Sequence, residues 1–323
     1  MAQFMIQNSA QVLTQAPVET VMRDELAHGD ALLGTIAPIL RHLLANDDHS
    51  LFSDEIIARV RGMMVDLARQ LLDALNAAEE LEPGTDHLAD QRDNLVTAFV
   101  SHSGLLAHVH ALALEWQLTE RLSARLGLDP VLSPLLQALI AAPEPATAGT
   151  AMALLAAQAR YAQNQRRMQL PLAELPGDLL HAAIATMQAA AGERTDLAAA
   201  AEARIRADYD ESRGRLGLIA RLITGMGGGA MAALNVAHAG TAMFLSAMAL
   251  ASGQERDLAV LSTNEGQLAR LALALRATGL KPEAIEEQFM SLHPEIALPD
   301  GFSGLGSDRA AALLARSAVV VGG

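Results

Sequence analysis

The chain has no cysteine in 323 residues, which removes disulfides, thiolate metal sites and sulfur nucleophiles together. Aromatic residues are also scarce, with one Trp, two Tyr and six Phe. Ala and Leu fill the apolar positions instead, which suits close-packed helices and disfavours sheets built on β-branched and aromatic side chains. Lysine is nearly missing: Lys281 stands alone among 23 basic residues. Charge itself is absent from residues 222–254, a 33-residue window in an otherwise regularly charged chain. So long an uncharged run has to be buried. Gly225, Gly227, Gly228 and Gly229 interrupt it, and Asn235, His238 and Thr241 stand where a membrane span would carry Leu or Val. The window therefore reads as protein core, with no membrane span.

What is present points to an all-α protein. Leu32, Leu33, Ile36, Leu40, Leu43 and Leu44 recur at helical steps before Asn46-Asp47-Asp48. A second helix is expected from an N-cap at Ser53, with Asp54 and Glu55 in its first turn and a stripe of Ile56, Val60, Met63, Leu67, Leu71 and Leu75. Pro83-Gly84-Thr85-Asp86 breaks the chain, and helices are expected over 87–100 and 104–126, ahead of Gly127-Leu128-Asp129-Pro130. Short loops between four or five helices make a bundle. The stretch AAPEPATAGT, with Pro143 and Pro145, marks a division into an acidic helical bundle, 1–142, and a second helical unit, 146–323. Residues 148–152 and 239–243 share Ala-Gly-Thr-Ala-Met, and the same offset pairs Gln163 with Gln254 and Glu174 with Glu265, a candidate internal repeat.

The formal charge of −14 is uneven: residues 1–145 hold 20 acids and 8 Arg, against 17 acids and 15 basic residues in 146–323. An acidic first half repels phosphate backbones and anionic lipid, so no nucleic acid is expected, and a basic protein surface or a second copy of the chain is. Residues 1–19 lack the basic start and continuous apolar run of a secretory signal, which makes a cytoplasmic location the expectation.

Few residues offer chemistry. His102, His108, His110 and Glu115 form the densest set of potential ligands or proton carriers. On one helix His108 and His110 point about 200° apart, and Glu115 is off the face of His110, so a joint metal or acid–base site would need a second helix. Phosphotransfer through one of these histidines, as in a four-helix bundle, is the other chemical reading. Gly225-Met226-Gly227-Gly228-Gly229 lacks the preceding strand and the Lys of a phosphate loop, and reads as a turn between helices. Arg204, Arg206, Arg213, Arg215 and Arg221 are interleaved with acids and read as a solvated face, or as a dock for an acidic protein partner or for the chain's own acidic first half. Met226, Met231, Met243 and Met248 read as core. No catalytic, cofactor-binding or metal-binding residue is assigned, and no cofactor is expected.

Residues 238–282 resemble the C-terminal units of a bacterial HEAT-like helical family known as a domain of unknown function. The resemblance rests on Phe244, Leu245 and Leu250 in a first helix, Leu258 and Leu261 in a short second, and Leu271, Leu275, Gly279, Leu280 and Pro282 in a last. It implies a HEAT-like helical array after the N-terminal bundle and assigns no activity. The expectation is a protein-interaction or regulatory scaffold without catalysis. The alternative is a helical enzyme or phosphotransfer protein with a His/carboxylate site between the halves.

Overall fold

The computed structural model describes residues 17–45, 54–79 and 87–317. Among them the chain is all-α, with fourteen helices and no strand. Helix α2 (Asp54–Glu79) follows directly from its sequence: Asp54 and Glu55 occupy the first turn, and all six residues of the expected stripe are buried. Ser53, the stop at 46–48 and the break at 83–86 lie outside the described residues. Helix α1 (Val18–Ala45) starts far ahead of its stripe and has Pro38 within it. Leu40 and Leu43 are buried, but Leu32 is 41% exposed and Leu33 and Ile36 are half-buried, contrary to the single buried stripe expected. The reason is that α1 strides between two apolar cores and covers its middle incompletely.

Helices α3 (His87–Ser101) and α4 (Ser103–Leu126) stand where the sequence puts them. His102 caps α4, its Nδ1 accepting the Leu105 N–H at 3.1 Å, and Gly127 ends the helix at φ 68°. Then follow α5 (Pro134–Ile140) and α6 (Pro145–Arg166). The expected interdomain stretch shrinks to residues 141–144, because Pro145 opens α6 and residues 146–150 are helical. The remaining helices are α7 (Gly177–Ala191), α8 (Thr195–Asp208), α9 (Arg215–Gly225), α10 (Val236–Ser252), α11 (Arg256–Leu261), α12 (Leu268–Ala277), α13 (Pro282–Leu292) and α14 (Ser307–Leu314).

Two apolar clusters hold these helices together, and they do not follow a division at 143–145. The first joins Leu40 of α1 to α2, α3, α7 and α8, so α7 and α8 pack with the N-terminal helices although they follow the Pro-rich stretch. Ala198 and Ala201 of α8 are small enough to let it lie close on α2. The second cluster joins Met22 and Leu26 of α1 to α5 and α9 to α14. Helix α4 belongs to both, turning Leu105, Val109, Leu112 and Trp116 to the first and Ala111, Leu118 and Leu122 to the second. Helix α6 is shared likewise, through Tyr161 on one side and Leu154 on the other.

The uncharged window is core over much of its length. Residues 241–249 of α10 are buried without exception, packed by α4, α5, α9, α11 and α12. Met243 and Met248 are inside, while Met231 is 47% exposed on the 3-10 segment Gly227–Leu234. No single described helix is long and apolar enough to cross a membrane. Residues 225–229 form the turn out of α9, with Gly227 at φ 51°. The order of α10, short α11 and α12, closed at Gly279, is compatible with a HEAT-like unit. The two Ala-Gly-Thr-Ala-Met segments differ: Gly149 lies inside α6, while Gly240 kinks α10 at φ 72° with a prospective Cβ 3.0 Å from Ser133.

Close approach has a consequence at Gly62, in α2. A Cβ there would fall 2.6 Å from Met168 Cβ and 3.1 Å from the Met168 carbonyl, whereas one on exposed Gly225 would meet nothing. Helix propensity favours Ala by about 1 kcal/mol at either position. Overpacking against backbone costs about 1–3 kcal/mol and reverses that gain at the first. In urea denaturation Gly62→Ala lowers stability and Gly225→Ala does not.

Candidate functional site

The charged centre of the molecule is on α4, between the two cores. Glu115 and Arg215 are 1% and 2% exposed. Arg215, first residue of α9, grips the carboxylate with both arms: Nη1 to Oε1 at 2.7 Å and Nη2 to Oε2 at 3.1 Å. Arg256, first residue of α11, sets its Nη2 2.9 Å from Glu115 Oε2 and donates its Nε to Ser246 Oγ of α10 at 2.9 Å. The Arg215 guanidinium also lies 3.6 Å over the Tyr161 ring and donates to Gln158 Oε1 at 3.3 Å. Its backbone N–H donates to Glu174 Oε2 at 3.0 Å. On the far side of α4, Arg59 of α2 lies 5.9 Å from the Trp116 ring centroid and donates to Glu55 at 2.8 Å and to the Gln165 carbonyl.

At the next residue of α11, Asp257 Oδ2 lies 2.8 Å from His108 Nδ1. His108 and Glu115 are seven residues apart on α4, two turns, so they share a face and both meet the start of α11. His110 is buried on another face, and His102 is spent on the helix cap. The four candidates therefore do not converge. Among the described residues no three His, Asp or Glu side chains gather as metal ligands would.

The electrostatics match the geometry. Burial pushes the Glu115 carboxyl up, but Arg215 and Arg256 outweigh it and hold the group at about 2. Burial lowers the Arg215 pKa, and Glu115, with Tyr161 and Glu174, more than reverses that, raising it. Asp257 feels burial upward and His108 more strongly downward, for a net lowering. His110 is driven down to about 4 by burial. Two carboxylates and two guanidiniums meet here and cancel. The His108–Asp257 pair has the form of a carboxylate-oriented base, with Nε2 lacking a hydrogen-bond partner among the described residues, yet the imidazole is 2% exposed.

The solvated-face reading fails for Arg215, which instead docks on Glu115 of the acidic first half, the other reading of this Arg set. Arg204, Arg206, Arg213 and Arg221 are exposed. Arg215 departs because it stands at the start of α9, where the chain turns inward after the 3-10 turn Glu211–Arg213. Arg256 and Asp257 went unnoticed. The seven-residue spacing of His108 and Glu115 was the one signal that could have pointed to a shared partner.

Removing one member of the cluster strands buried charge. Glu115→Gln costs about 3–5 kcal/mol in urea unfolding, while the triple replacement Glu115→Leu, Arg215→Met, Arg256→Met stays near the parent's stability. Acid has two distinct effects. The folded His110 value near 4 lies below its ordinary 6.5, so its contribution is complete above that pH and is lost as pH falls to 4. His293, also held at about 4, acts in the same window. Glu115 contributes above its ordinary 4.5 and loses that as pH falls to 2. Urea midpoints measured from pH 7 to 4 therefore decline, and His110→Gln removes about half of the decline.

Comparisons of the chain with family models, curated proteins and solved structures find no match.

Proposed function

We propose that the protein is a non-catalytic, cytoplasmic scaffold, an acidic helical bundle continuing into a HEAT-like array, which engages a basic surface of a protein partner. The observation that carries this is the fate of the charges. Arg206 pairs with Glu202 on its own helix at 2.6 Å, and Arg221 donates to the Ser212 carbonyl at 2.8 Å. Of the Arg-rich stretch, Arg215 pairs with Glu115 of the first 145 residues, while other acids of that half stay on the surface. Asp24, Glu25, Asp54, Asp90 and Asp93 remain exposed. Exposed charge of one sign steers and selects a partner of the other sign. The internal carboxylates and histidines, by contrast, are consumed in pairing.

The His108–Asp257 pair favours the second reading, a helical phosphotransfer protein or enzyme. That reading requires a reactant to reach a ring that is 2% exposed. An acid-labile phosphate on the protein that disappears in His108→Gln would establish it.

The scaffold reading is tested by co-purification from the native host. A partner should be retained at low salt and released at about 0.5 M, where the screening length is a few ångströms. It should also be lost from a variant with Asp24, Glu25, Asp90 and Asp93 changed to Asn or Gln. Equal retention by this variant, with wild-type helicity, would overturn the proposal.

A further inference from the structure

Beyond the exposed acids, the middle of α1 bridges a hollow instead of packing on α4. The hollow holds about 430 Å³ of water-accessible space, within the range of ordinary ligand pockets of about 300–1,000 Å³. Leu33, Ile36 and Ile39 of α1, Ile56 of α2 and Leu261 of α11 give it apolar walls. A second, smaller hollow of about 170 Å³ lies beside it. Leu114, Gln117 and Asn264 line both, so the two form one groove along α4.

The smaller compartment is polar. Arg121 lines it, with Arg125 one turn further along α4 and Glu265 opposite. Burial and Arg125 both press the Arg121 pKa down, and Glu265 offsets them only in part. Among the described residues Arg121 has neither a hydrogen-bond partner nor an ion pair within 4 Å. His293 nearby stays neutral, so two guanidiniums face one carboxylate. An exposed cation without an ion-pair partner beside an apolar trough is matched by a molecule carrying one anionic head and a hydrocarbon body.

We propose that the groove between α1 and α4 binds a free long-chain monocarboxylate, its head on Arg121 and its chain among Leu33, Ile36, Ile39 and Leu261. This site is separate from the exposed acids that carry the scaffold reading, and it stands or falls independently of them. Gln117, common to both compartments, offers its amide N–H₂ to the same head group.

Calorimetric titration with dodecanoate below its micellar concentration tests this, with dodecan-1-ol as the neutral analogue. One equivalent should bind to the whole chain. Arg121→Gln should weaken dodecanoate by about tenfold or more and leave dodecanol unchanged, since only the head group loses a partner. Leu33→Trp, which fills the trough, should abolish both while urea unfolding checks that the fold is kept. Absence of one-to-one binding would overturn the proposal, as would an Arg121→Gln affinity within about threefold of wild type. Binding to phosphatidylglycerol vesicles that depends on Arg121, without binding of dodecanoate, would assign the cation to a lipid surface and overturn it equally.

Discussion

The packing of the two cores depends on one buried carboxylate. Glu115 stands on the helix that both cores share, and it is held by Arg215 from α9 and Arg256 from α11. A single charge so placed would be expelled, and a single pair would about break even against apolar side chains. The bidentate grip and the Tyr161 face satisfy the carboxylate and the Arg215 guanidinium, while Arg256 donates only its Nε, to Ser246. What the arrangement supplies is register. It fixes where α9 and α11 start along α4, which nonpolar contacts alone specify loosely.

Register on α4 also decides what the surface can do. With α11 set by Asp257 on His108 and Arg256 on Glu115, the 3-10 turn Glu265–Gln267 is set in turn beside α1. The Gln267 amide fits against Gly29, where a Cβ would lie 2.9 Å from it. That contact anchors α1 on one side of the hollow, and Leu40 anchors it on the other. The groove is thus a by-product of fixing the two ends of one long helix on two different cores.

The fold was most legible where a helix turns one apolar stripe to one core. The stripe of α2 faces one core and repeats cleanly, so it could be read in full. α1 could not, because its apolar residues serve two cores and Asp24, Glu25 and His28 interrupt its first half. α7 and α8 pack on helices that precede Pro143 and Pro145, a long-range pairing that no local pattern records, and Pro145 itself starts α6. The charge cluster was hidden by distance: Glu115 and Arg215 are 100 residues apart, and no local period records such a pair. The charge-free window was readable as core for the opposite reason, since residues 241–249 are buried all round and need no pattern.

The two ends of the described chain meet. Arg309 of α14 pairs with Glu19 of α1 at 2.7 Å, and Arg270 joins Asp30 to Ser317. During synthesis the first helix emerges long before α12 exists to pack on it. For most of translation, the nascent protein therefore shows the ribosome-side milieu an unfinished second core beside a nearly complete first one. Helix α14 packs on α12 and closes the second core like the stave of a cask, and a chain halted before α14 leaves that core half-sealed for chaperones and proteases to judge.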